Sequence, residues 1–248
     1  MTLEQFFAEN REVAIAFSGG VDSAYLLYAA TRYAARVKAY YVSTAFQPEF
    51  ELADARRLAD ELGADMLVLH VDVLSNSAVT ANPSDRCYHC KNTLFRQILR
   101  AAENDGFPVL LDGTNASDDA GDRPGMRALR ELSVRSPLRE CGLTKAEIRR
   151  LSREAGLFTW DKPAYACLAT RIRTGEEITL QKLKQTEKAE GFLFGLGLRD
   201  FRVRMVGNTA KLELREADLP LLLENRKKIV TELRKDYDSV LLNLEVRK

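Results

Sequence analysis

Apolar positions in this chain come first as a short unbroken run, Val13-Ala14-Ile15-Ala16-Phe17, and then at helical spacing, with Leu26, Leu27 and Ala30 on one face. The alternation repeats downstream. Residues 37–42 read as a strand, 49–62 as an amphipathic helix and 65–71 as another buried strand. Residues 91–103 then read as a helix, 108–111 as a short buried strand and 144–155 as a helix that Thr144 and Glu147 open as a capping box and Gly156 closes. Apolar strands alternating with helices predict an α/β fold, a doubly wound parallel sheet whose ligands lie beyond the carboxyl ends of its strands.

The pattern changes near Gly175. Residues 176–190 read as a charged amphipathic helix, 201–206 and 211–214 as strands paired around Gly207-Asn208, 219–235 as helical and 240–246 as a last strand. This predicts a smaller α+β domain over 173–248 behind a larger one over 1–172, with a hinge at 171–175. A length of 248 residues suits that division.

Composition narrows the function. The chain is 46% hydrophobic, ample for a core, and its formal net charge is +1 with bases scattered among acids, which argues against a dedicated nucleic-acid binder and for a small substrate. Glu4, Glu9, Arg11 and Glu12 near the N-terminus and the lack of any long apolar run lead us to expect a cytoplasmic protein without a membrane span. Four cysteines are too few for a disulfide framework in a chain this long, so in a reducing compartment they are expected to be metal ligands or nucleophiles.

Ser18-Gly19-Gly20-Val21-Asp22-Ser23 falls where the first strand gives way to the first long helix. Gly19 and Gly20 allow backbone conformations that a Cβ obstructs, Ser18 and Ser23 offer hydroxyls, and the helix start offers N–H groups and its positive end, so an anion is expected there. No lysine follows Gly20 as it would in a Walker A loop. The hexad resembles the S-G-G-x-D-S of the PP-loop ATP pyrophosphatases, which implies cleavage of ATP between its α- and β-phosphates. Asp112-Gly113-Thr114-Asn115 follows a buried strand, where Asp112 could hold Mg²⁺ on the triphosphate or simply serve a turn. The loop 117–125 carries Asp118, Asp119, Asp122 and Arg123, and Arg202 and Arg204 share one strand face, either an exposed basic face or a phosphate clamp.

Cys87 and Cys90 form a C-x-x-C expected in a loop just before the helix at 91–103, and Cys167 stands far off in sequence. Three thiolates suit one edge and a third corner of an iron–sulfur cluster; a zinc site completed by Cys141 or His89, or a buried apolar pair with an unrelated Cys167, are the other readings of the same spacing. Cys141 is expected to be structural, and His70 to end a strand.

Taken together, S-G-G-V-D-S at 18–23, R-C-Y-H-C-K at 86–91, D-G-T-N at 112–115, R-P-G-M-R-A at 123–128, K-P-A-Y-A-C-L-A-T-R at 162–171 and R-V-R at 202–204 resemble the LarE family, sulfur-insertion proteins of nickel-pincer nucleotide biosynthesis. The resemblance implies ATP-dependent adenylylation of a carboxylate of pyridinium-3,5-biscarboxylic acid mononucleotide and its conversion to a thiocarboxylate. It implies Asp22, Lys91, Arg171 and Cys167 as catalytic residues, with Lys162 as a further basic helper, and Ser18, Gly19, Gly20, Asp22, Ser23, Asp112 and Gly113 around ATP and Mg²⁺. It also implies Arg202, Arg204, Glu187 and Glu213 toward the substrate phosphate or a metal, and a homo-oligomer, a trimer or hexamer. Where one branch of the family has a sulfur-donating cysteine this chain has Ala166, with Cys167 next to it. That departure resembles the three-cysteine members, whose Cys87, Cys90 and Cys167 counterparts hold a [4Fe-4S] cluster; a sacrificial Cys167 is the alternative. A tRNA thiolase or an amidotransferase-type synthetase would share the first motif and differ in substrate.

Overall fold

The computed structural model describes residues 1–118 and 124–247. Asp119, Asp122 and Arg123 lie outside the described residues. In chain order the elements are α1 (Leu3–Glu9), β1 (Glu12–Ala16), α2 (Val21–Tyr33), β2 (Arg36–Ser43), α3 (Glu49–Leu62), β3 (Asp65–His70), α4 (Ser77–Thr80), α5 (Arg86–Asn104), β4 (Val109–Leu111), α6 (Pro124–Glu131), α7 (Pro137–Glu140) and α8 (Lys145–Glu154). There follow α9 (Leu180–Gly195), β5 (Phe201–Val206), β6 (Thr209–Leu214), α10 (Leu219–Glu224), α11 (Arg226–Leu233) and β7 (Ser239–Leu242). They form two compact units, one of residues 1–73 with 85–164 and the other of 74–84 with 165–248.

The first unit is built on a parallel sheet of order β3-β2-β1-β4. Successive side chains of a strand point to opposite faces, and here both faces are covered, so alternate residues sort into two cores. Val13, Ile15, Ala39, Tyr41 and Leu111 join helices α1, α2 and α3 on one side. Ala14, Tyr40, Val42 and Leu110 meet Ile98 and Ala102 of α5 on the other. Burial on both faces is why these strands read as unbroken apolar runs, and it makes the expected doubly wound α/β arrangement. The capping box at Thr144 is present, with Glu147 N–H donating to Thr144 Oγ1 and Thr144 N–H to Glu147 Oε2.

The second unit carries a three-stranded sheet, β5-β6-β7, in which β5 and β6 form the expected hairpin and β7 joins parallel to β6. Residues 74–84 complete it. Gly175 N–H donates to Asn82 O at 2.8 Å and Ile178 N–H to Thr80 O at 2.8 Å, while Asn82, in a left-handed conformation, donates through Nδ2 to Arg173 O at 2.8 Å. These long-range bonds hold 175–178 away from helical geometry, so the helix expected from 176 starts at Leu180 under a Thr179 cap and runs on to Gly195. The helix expected over 219–235 is broken at Asn225, whose Nδ2 turns back to Leu221 O at 3.0 Å. Among the described residues no helix is long and apolar enough to cross a membrane.

Candidate functional site

The hexad at 18–23 lies where the sequence places it, between the end of β1 and the first turn of α2. Gly19 has φ +71°, which side chains rarely adopt, and a Cβ there would sit 3.2 Å from Ala55 Cβ of α3. Gly20 departs from expectation: its φ of −80° is ordinary, and a Cβ would meet only Ser18 Oγ at 3.5 Å. Its contribution is an open wall rather than a special backbone angle. The hydroxyls bind one another, Ser18 Oγ and Ser23 Oγ lying 3.0 Å apart and Ser23 Oγ donating to Gly20 O at 3.2 Å. They brace the turn from inside.

A cleft of about 310 Å³ opens at this turn, lined by Ser18, Gly20, Asp22 and Ser23, by Lys91 and Phe95 of α5, and by Asp112 to Thr114 and Asp118 beyond β4. It sits at the carboxyl ends of β1 and β4, the position open α/β sheets give to ligands. Asp112 and Gly113 are therefore brought to the hexad. Gly113 is packed so tightly that a Cβ would stand 2.9 Å from Ser23 N and 3.1 Å from Ser23 Cα, both backbone atoms. Gly113→Ala should push the first turn of α2 out of place, costing about 1–3 kcal/mol of stability as overpacking does. Denaturant unfolding with nucleotide titration checks this, and a variant that melts and binds like wild type refutes the packing argument.

Three carboxylates and one lysine line the cleft, so a bare triphosphate would meet repulsion and a divalent cation would remove it. Both Asp112 oxygens already accept hydroxyl hydrogen bonds, from Ser136 at 2.6 Å and Thr114 at 2.5 Å, and Asp118 Oδ2 accepts from Asn115 N–H at 2.9 Å. Asp22 differs. Its Oδ2 meets Lys145 Nζ at 2.7 Å, while its buried Oδ1 has no hydrogen-bond partner among the described residues. An orphaned buried carboxylate oxygen on a residue that lines the cleft suits a hard cation. Lys162 is also placed at the hexad, its Nζ 2.7 Å from Asp54 Oδ2 and 3.4 Å from Gly19 O. Lys145 was not among the residues expected here; nothing in its sequence position, inside a capped helix start, signals that it reaches Asp22.

Other predicted residues belong to the second unit. Arg171 corrects an expectation: rather than a free cation for phosphate, it is buried to 1% exposure, its Nε and Nη2 binding both Glu190 oxygens at 2.8 and 2.9 Å. Burial works against its charge and the Glu190 carboxylate more than offsets this, holding the guanidinium above its ordinary range. Its Nη1 donates to Ala166 O at 2.7 Å, and Thr170 Oγ1 donates to Cys167 O at 2.8 Å, so the turn that presents Cys167 is clamped from beneath. Glu190 also accepts from Tyr165 at 2.5 Å and from Val203 N–H at 2.9 Å. Arg202 and Arg204 do alternate along β5, but Arg202 is 7% exposed, with burial pulling its guanidinium below the ordinary range. Arg204 bonds Glu213 at 2.7 Å and Thr170 O at 2.6 Å, and Glu187 is half-buried on α9.

None of the four cysteines is in a disulfide. Cys87 and Cys90 lie not in a loop but in the first turns of α5, which begins already at Arg86, so they share a helix side three residues apart. Cys87 is exposed, with Arg86 Nη2 at 3.9 Å from its sulfur. Cys167 is half-buried and stands in the other unit, at the start of the Arg171-clamped turn. Burial pushes the Cys141 thiol up, in keeping with a structural place against the first core. Among the described residues, no group of three or more His, Cys, Asp or Glu side chains is arranged to hold a metal ion.

The sequence model of the asparagine synthase family matches residues 4–118, the part that builds the cleft. A pyridinium-3,5-bisthiocarboxylic acid mononucleotide synthase of Lactiplantibacillus plantarum is 33% identical over 218 residues, 87% of this chain and 79% of its own. An uncharacterised protein of Synechocystis is 40% identical over 86% of this chain and 80% of its own, and one of Methanocaldococcus jannaschii 30% identical over 96% and 91%. With similarity that runs through both units, the chain belongs to the LarE family of PP-loop, ATP-dependent sulfurtransferases.

Proposed function

We propose that this protein adenylylates a carboxylate of pyridinium-3,5-biscarboxylic acid mononucleotide and replaces its oxygen by sulfur, yielding the kind of thiocarboxylate named for its Lactiplantibacillus relative. A carboxylate oxygen attacks the α-phosphorus of ATP, the bond from that phosphorus to the bridging oxygen breaks, and pyrophosphate leaves. A sulfur nucleophile then attacks the acyl carbon, the acyl–oxygen bond breaks and AMP departs with the oxygen. The carboxylate needs this activation because its own oxygen is a poor leaving group.

The observation that carries the ATP half is Asp22 Oδ1, buried beside the glycine turn and without a hydrogen-bond partner among the described residues. Asp22 would hold Mg²⁺ on the phosphates, with Asp112 behind it, while Ser18, Gly19, Gly20, Ser23 and Gly113 shape the cradle and Lys91 and Lys162 offset developing charge. The region 173–248 is assigned to substrate binding and to assembly as a trimer or hexamer, Arg202, Arg204, Glu187 and Glu213 facing the substrate phosphate or a metal. Three at least partly exposed thiols outside any disulfide form a soft donor set of the kind iron–sulfur centres use, so Cys87, Cys90 and Cys167 are assigned as ligands of a [4Fe-4S] cluster. Such a cluster, when bound, would supply sulfide-level sulfur to the activated carboxylate. Arg171 and Glu190 act on Cys167 only by fixing its turn.

Anaerobic reconstitution should give about four irons per chain, lost in Cys167→Ala, with AMP and pyrophosphate released repeatedly when substrate and sulfide are supplied. A single turnover that leaves the protein lighter by one sulfur atom would instead make Cys167 the donor and remove the cluster from the reading.

A further inference from the structure

The cradle lacks the lysine that a Walker A loop carries after its last glycine, yet it is not without a mobile cation. Lys145 Nζ rests 2.7 Å from Asp22 Oδ2, and Asp22 lines the cleft. Its position is electrostatically odd. Lys145 is the first residue of α8, whose dipole makes that end positive and disfavours a cation. Asp22 offsets the penalty, and any phosphate entering the cleft would offset it as well. The base from which the side chain swings is rigid: the Thr144–Glu147 capping box pins the helix start, and Lys145 N–H donates to Ser117 Oγ at 3.0 Å. The ammonium is about one-third exposed on a flexible four-carbon stem, free to trade one oxygen anion for another.

We propose that Lys145 is the phosphate-handling lysine of this site, parked on Asp22 in the absence of nucleotide and transferred to a phosphate oxygen when nucleotide and metal arrive. The exchange is of ion pairs only. As the ammonium leaves Asp22 Oδ2 for the phosphate, both oxygens of Asp22 become available to the cation, so one movement supplies a positive charge to the triphosphate and a carboxylate to its metal. This rests on the nucleotide-binding half of the reading above and not on its sulfur chemistry.

The test is equilibrium binding of α,β-methylene-ATP, uncleavable at the scissile position, measured by calorimetry with Mg²⁺ and, separately, in EDTA. Wild type, Lys145→Met, Lys145→Arg, Asp22→Asn and the Asp22→Asn/Lys145→Met double variant are compared, with Lys145→Gln in place of methionine if the latter melts below wild type. Losing a charge-assisted hydrogen bond to phosphate should weaken binding about tenfold or more. That loss should be at least as large on the Asp22→Asn background, where Lys145 gives up no ion pair to reach the phosphate, and Lys145→Arg should keep most of the affinity. If the loss vanishes once Asp22 is neutral, Lys145 acts only as the partner of Asp22 and the proposal is wrong. Unchanged affinity in Lys145→Met overturns it as well. If wild type binds no nucleotide under metal-free or Mg²⁺ conditions, the nucleotide reading of the cleft fails first and takes this assignment with it.

Discussion

Asp22→Asn is expected to lower AMP and pyrophosphate formation by about 10²–10³-fold, the scale on which removing one preorganised charge from a transition state acts. Thermal unfolding should stay close to wild type. The Asp22–Lys145 pair is partly exposed, with side chains at 23% and 35%, and such pairs are worth about 0–1 kcal/mol. Asp22 Oδ1 has no hydrogen-bond partner among the described residues, so neutralising the carboxylate breaks no hydrogen bond there. Pyrophosphate release and a melting curve on the same sample separate the two effects. A variant that keeps a tenth or more of the rate would show that Asp22 braces the turn rather than serving the phosphates.

Glu190→Gln carries the second large effect, and it is one of stability. Arg171 and Glu190 are buried to 0% and 2% of their side-chain surface, and Glu190 takes bonds from Arg171, Tyr165 and the Val203 backbone at once. Removing one partner of a buried pair strands the other charge, at a cost of about 3–5 kcal/mol. Replacing both, as in Arg171→Met with Glu190→Leu, removes the stranded charge and should be less damaging than either single change. Urea unfolding of the two singles and the double forms a closed cycle. Additive losses across it would mean that the two side chains do not depend on each other. Sulfur insertion should fall further than ATP binding in Glu190→Gln, because the pair holds the Cys167 turn and not the cleft.

Much of the first unit is legible from pattern because its physics is local or periodic. Strands covered on both faces must be apolar at every position, which marks β1, β2 and β4 as buried parallel strands and forces helices between them. The hexad at 18–23 announces itself through residue types that a phosphate turn requires, and Thr144 with Glu147 does the same for a helix start. The start of α5 was harder to read: Pro83, Ser84 and Asp85 signal a break, and the sequence between Arg86 and Lys91 has too few apolar residues to show that the helix is already under way.

What the chain by itself determined, then, is the order of elements, the glycine turn at the end of β1 and the residue types available for chemistry there, since these follow from steric and hydrophobic periodicity within a few turns of chain. Tertiary structure alone decided the partners: Lys145 on Asp22, Gly113 against the backbone of Ser23, Arg171 spent on Glu190, and 74–84 bonded to 172–178. Each of these joins residues far apart in sequence, and a long side chain's charge goes to whichever opposite charge the packing brings within reach. Local sequence sets what a residue can offer, and the packed interior settles to what it is given.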